Sequence, residues 1–280
     1  MGLLEWARDP WGVDVPIHIG WFLIWVALGG GALFVILHAV YIRYLARPRQ
    51  YAEEPSGTGT TETPERVPRH SIVARAFHWV MAASMLTLLA TAFLPRLGVR
   101  FPWVTYHWIA GSVLTVSVVF HVIHASFWLD FASIWPDRID LRDAVHRMRR
   151  FMGQSAPPPK RFGKYPLENK LYHAAIVVAG VCVIATGIFM MFRVRTVFFP
   201  RNPYLLSDMS WGLVYVLHGL AGVGLITLIV MHIYFGIRPE KRPITRSMIF
   251  GWMSREFYLE EHDPQRWRIE KIPNSTRQRT

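Results

Sequence analysis

Apolar residues gather into five long runs separated by polar, charged stretches, and this alternation predicts the fold. The runs lie near Ile17 to Tyr44, Ala76 to Leu94, Val104 to Leu129, Leu171 to Phe192 and Trp211 to Ile237. Each approaches or exceeds the ~20 residues a helix needs to cross a bilayer. Leu, Val, Ile and Ala fill them, with Trp, Tyr and Phe toward the ends, as interfacial aromatic belts require. The first run is longer than a signal-peptide core and no small-residue cleavage site follows it, so it reads as a retained helix. The expected fold class is an all-α membrane protein with five transmembrane helices.

The polar stretches divide the chain further. Residues 47–69 are rich in Pro, Gly, Thr and charge and read as a flexible linker. Residues 1–46 then form an extra N-terminal transmembrane helix, 70–237 a four-helix bundle and 238–280 a C-terminal tail. Segment 136–166 begins amphipathic and basic, then breaks at Pro157 to Pro159, which predicts a short surface helix. The net charge of +12 alone would suit a nucleic-acid partner, but its distribution excludes that reading. Segments 43–75, 130–170 and 238–280 hold 25 of the 31 Lys and Arg residues. By the positive-inside rule these segments are cytoplasmic, with the N-terminus outside and the C-terminus inside.

Histidines supply the candidate chemistry. His107 opens HWIAGSVLTVSVVFH, which ends at His121, and His218 opens HGLAGVGLITLIVMH, which ends at His232. Fourteen residues at ~100° each fall about 40° short of four turns, so each pair shares a helix face, its members ~21 Å apart along the axis. Gly111 and Gly222 each follow the first histidine by one turn, where a missing side chain leaves room for a flat macrocycle. Two imidazole levels inside an apolar bundle are what two b-type haems need. His107 and His218 share one depth and pair almost by necessity. At the other depth His232 is accompanied by His78, His121, His124 and His173; spacing favours His121 as its partner, with His78 the alternative. His18, His38, His124 and His173 read as packing residues, and His70, His146 and His262 as aqueous ones. Cys182 is the only cysteine, which excludes CxxCH haem attachment and an intrachain cysteine-ligated cluster.

In combination, RAFHW, HWIAG, FGKY, ATGI, HGLAG, LIVMHIYF, GWMSREF and HDPQRW resemble the gamma subunit of membrane-bound N-type formate dehydrogenase, a di-haem cytochrome b of the prokaryotic cytochrome b561-like type. The resemblance spans about residues 70 to 268. It implies a four-helix di-haem bundle in a bacterial inner membrane, with the first helix appended. It assigns His78 with His232 to one haem and His107 with His218 to the other, leaving His121 as runner-up. It also implies a menaquinone or ubiquinone site near Pro166, Glu168 and Asn169, Glu168 offering a proton-exchanging carboxylate. The implied partners are the iron–sulfur and catalytic subunits of a periplasmic oxidoreductase, besides the lipid bilayer, and no nucleic acid. The chain itself is expected to hold no catalytic residue for substrate chemistry. Two other readings remain: a quinol-oxidising anchor feeding an external reductase, and a haem-free structural or transport bundle using its histidines for packing or metal.

Overall fold

The computed structural model describes residues 2–45, 63–158 and 160–269. It is mostly helical and contains the five expected apolar helices: α1 (Phe22–Val40, continued by a π turn over Tyr41–Leu45), α2 (Ile72–Phe93), α3 (Trp103–Trp128), α5 (Leu167–Met191) and α6 (Asp208–Ile237). The chain divides into two compact units. One holds residues 1–47, 76–131 and 171–238, the helical bundle; the other holds 48–75, 132–170 and 239–280, the polar segments.

In the bundle, hydroxyl side chains within the spans bond back to carbonyls of the preceding turn. Ser84 donates to Val80, Thr87 to Ala83, Ser112 to Trp108 and Thr115 to Gly111. An unsatisfied donor in hydrocarbon is costly, and this local bond removes the cost without leaving the helix. Helix α6 is the hub. Helix α1 packs on it, with Gly31 against Val230 and Phe34 against Phe235. Gly29 and Gly30, just before Gly31, have nothing within 4 Å of an added Cβ.

Ahead of α1 the structure corrects the sequence reading. Residues Ile17 to Ile19, expected within the first span, belong to β2 (Asp14–Ile19), which pairs antiparallel with β1 (Leu4–Arg8). The turn between them is built by Asp9, whose carboxylate accepts from the N–H groups of Trp11 and Val13, and by Gly12 at φ 87°. Val15 and Ile19 are buried, and the hairpin lies on α6. There Gly212 is indispensable, because a Cβ would stand 2.0 Å from the Pro16 carbonyl oxygen.

The second unit assembles segments far apart in sequence. The stretch read as linker lies outside the described residues up to 62. Its last part, Arg66–Pro68, is strand β3, paired antiparallel with β4 (Trp252–Ser254). Val67, Met253, Tyr258 and Trp267 form its core. Around them lie α4 (Arg138–Phe151), α7 (Arg242–Phe250) and α8 (Arg255–Glu261). Gly251 ends α7 at φ 89°, where a side chain would meet the His70 carbonyl; Ser254 caps α8. Lys170 bonds Asp140 at 2.6 Å, and Arg266 bridges Asp137 and Asp140 at 2.9 and 3.1 Å. His262 is 1% exposed. Its Nδ1 lies 2.6 Å from the Gly163 carbonyl, so Nδ1 carries the proton and Nε2 faces the Arg69 guanidinium at 3.5 Å.

Two expectations follow. Gly212→Ala must push the hairpin off α6, costing about 1–3 kcal/mol; limited proteolysis near Arg8 should accelerate while the helices stay intact, and unchanged cleavage would refute the contact. Burial, reinforced by Arg69, pushes His262 down to about 3. The unfolded chain, with its histidine near 6.5, takes up a proton that the folded unit refuses, so stability present above about pH 6.5 is lost as pH falls toward 3. The loss reaches about 2 kcal/mol by pH 5. Melting followed by Tyr and Trp fluorescence should show this slope in the native protein and a flatter one in His262→Gln.

Candidate functional site

Three helices of the bundle, α2, α3 and α6, bring histidines together in two pairs. His107, in the first turns of α3, lies with its ring centroid 6.2 Å from that of His218 on α6, the planes inclined at 65°. His78 on α2 lies 6.2 Å from His232, farther along α6, at 49°. The fourteen residues from His218 to His232 set the two levels ~21 Å apart along that helix.

Hydrogen bonding fixes the tautomer at the first level. Thr91 Oγ1 lies 2.8 Å from the Thr87 carbonyl oxygen and 2.8 Å from His107 Nδ1. A carbonyl accepts only, so the single hydroxyl hydrogen goes to Thr87, and Oγ1 accepts from Nδ1–H. Thr186 repeats the arrangement on α5, with the Cys182 carbonyl at 2.6 Å and His218 Nδ1 at 2.9 Å. Both imidazoles therefore keep an unprotonated Nε2, whose lone pair is what a metal takes. Gly187 lies beside His218, where an added Cβ would make ordinary contact with its Cε1 at 3.5 Å. At the second level His232 stacks on Tyr172, centroids 5.3 Å apart and planes at 20°. Among the described residues no hydrogen bond reaches His78 or His232.

The residues fit a haem iron. With a metal–imidazole bond of about 2 Å on each side plus the two ring radii, opposed axial histidines have centroids ~6 Å apart. Both pairs meet that distance. Gly222, half-buried, has nothing within 4 Å of an added Cβ, and Gly111 meets only Leu88, at 3.8 Å. Protein packing does not require either glycine, whereas a flat macrocycle held by these histidines would.

Other histidines have other surroundings. His121, which spacing favoured as the partner of His232, lies 4.4 Å from the Phe77 ring; the ring contacts of His232 come from His78 and Tyr172. His124 stacks between Phe120 and Trp128. His18 stacks on Trp21, and His38 bonds the Tyr234 hydroxyl at 3.0 Å. Pro166 is buried, its carbonyl receiving the Asn169 N–H as α5 begins, and Glu168 is exposed in the first turn. Sequence reasoning passed over Thr91, Thr186 and Tyr172. The signal for the threonines was a repeat, Ala90–Thr91–Ala92–Phe93 beside Ala185–Thr186–Gly187–Ile188.

No match appears among curated proteins. Residues 69–251, roughly two thirds of the chain, match the family model of prokaryotic cytochrome b561. Within that stretch lie α2, α3, α5 and α6 with both histidine pairs, whereas the hairpin and α1 precede it. The chain belongs to the prokaryotic cytochrome b561 family, and is accordingly a multi-pass membrane cytochrome that binds b haem and works in electron transfer.

Proposed function

We propose that this protein carries electrons between a partner's redox centre at one membrane face and a quinone at the other, through two b haems held by His107 with His218 and by His78 with His232. The observation that carries the reading is the equal 6.2 Å separation of the two pairs. A b haem supplies reversible one-electron exchange at its iron. The chain's own residues hold the ligands, exclude water with apolar side chains and make the two levels unequal.

That inequality supports a direction. Thr91 and Thr186 accept from Nδ1–H while donating to carbonyls, which makes the His107 and His218 imidazoles stronger donors at Nε2. A stronger donor favours the oxidised metal. His78 and His232 lack such a partner among the described residues, so their level is the better electron acceptor. Electrons then run downhill from the His107–His218 level to the His78–His232 level. The latter lies toward the end of the bundle from which the most basic segments leave, the cytoplasmic end by the positive-inside rule. Menaquinone or ubiquinone reduction there takes protons, for which we nominate Glu168 in the segment with Pro166 and Asn169. Electrons from outside and protons from inside conserve energy across the membrane. The donors this arrangement suits are the iron–sulfur and catalytic subunits of a periplasmic, formate dehydrogenase-like oxidoreductase. Helix α1 serves assembly, since neither His18 nor His38 faces a second histidine.

Pyridine haemochrome analysis should give two b haems per chain. His78→Ala should lose one and His121→Ala neither, and a quinone analogue should perturb the spectrum of the haem that His78→Ala removes. One haem in fully loaded protein, or haem loss on His121→Ala alone, would overturn the assignment. Thr91→Val with Thr186→Val should raise the midpoint potential of the haem that survives His78→Ala and leave the other unmoved. A fall in that potential instead would favour the reverse direction, with quinol as donor.

A further inference from the structure

Helix α4 is amphipathic in the inverted sense. Its acidic face is the covered one: Asp140 is 4% and Asp143 9% exposed, and Asp140 is locked to Lys170 and Arg266. Its apolar face is the open one, with Leu141 65%, Val145 45%, Met148 58% and Met152 59% exposed. These four follow one another at spacings of four, three and four residues, one continuous stripe along and just past the helix. Exposed Arg138, Arg142 and Arg149 run along one flank of the stripe. A helix facing water turns its charges outward, so water is not the medium this stripe is made for.

We propose that α4 is an in-plane membrane helix whose apolar stripe enters the acyl region of an anionic leaflet while Arg138, Arg142 and Arg149 hold lipid phosphates. Charge selects this occupant over a protein. With both carboxylates of the helix turned inward, its outward face is purely cationic and apolar, the composition that binds anionic bilayer surfaces. Chain continuity supports it as well. α4 lies between the spans α3 and α5, so the lipid surface is always at high local concentration and no separate encounter is needed. The aromatic Phe131 and Trp135, both exposed, lead into it. Arginine stems lie along apolar surface with their guanidinium groups at phosphate level, which is where the flanking positions put them.

The test uses the full chain in lipid nanodiscs, carrying Cys182→Ser and a spin label at Met148→Cys, with a label at Glu5→Cys in the hairpin for comparison. Accessibility to oxygen, which partitions into acyl chains, is read against a water-soluble nickel chelate. At Met148 the oxygen-to-nickel ratio should exceed that at Glu5 several-fold and rise when phosphatidylglycerol replaces part of the phosphatidylcholine. Joint Arg138, Arg142 and Arg149→Gln substitution should abolish the phosphatidylglycerol dependence. Equal nickel access at the two labels would mean a water-facing helix. A Met148 label closed to both reagents would mean a protein cover, from a partner or a second copy. Either result overturns the proposal.

Discussion

Everything in the bundle depends on one constraint: a polar group inside hydrocarbon must find its partner within the protein. Backbone groups meet it by forming helices, and hydroxyls by bonding back one turn. Imidazoles are harder, since each has two nitrogens and one hydrogen. At the His107–His218 level two threonines take the Nδ1 hydrogens, which leaves two Nε2 lone pairs with no donor among the described residues. Two such acceptors, 6.2 Å apart between ring centroids, are unfavourable until something that takes electron pairs is placed with them. A haem iron, of the kind the cytochrome b561 family binds, would be such a group. The pair is thus a debt in hydrogen bonding that a bound metal would cancel.

Helix α6 shows how one element serves several such demands. Its 30 residues carry His218 and His232, and its glycines differ in what they meet. Gly212 and Gly219 admit the Pro16 and Ile19 strand, whereas Gly222 is left open beside the histidine level. A helix that must contact a strand and another helix and carry both histidine levels cannot use one side-chain size throughout. Small residues are placed where backbone approach is needed and larger ones elsewhere.

The spans were legible because length and hydropathy alone define a membrane helix: the run read from Val104 to Leu129 is α3, Trp103–Trp128. The hairpin was not, because Ile17 and Ile19 extend the apolar run and the burial of Ile19 comes from α6, a neighbour two hundred residues away. The second unit escaped for the same reason. Val67, Met253, Tyr258 and Trp267 make a core only when two polar segments far apart in sequence meet. At the site, periodicity gave the shared faces of His107 with His121 and His218 with His232. It favoured His121 over His78 as the partner of His232, although that choice depends on which helix α6 faces at that depth. The structure places the His78 ring beside His232.

The pieces that carried the family resemblance also separate by physical role. HWIAG, ATGI and HGLAG hold the histidines, a threonine and the glycines of the site. FGKY, GWMSREF and HDPQRW are instead framework of the second unit. Gly163 and Lys164 offer carbonyls to His262 and Arg69, Gly251 and Ser254 punctuate two helices, and Arg266 and Trp267 close the ion network and the core. A buried arginine and a buried neutral histidine sharing one hydrogen bond leave little freedom for substitution at either position, since either change strands a polar group. Such motifs serve the fold, so sequence likeness built on them identifies the architecture.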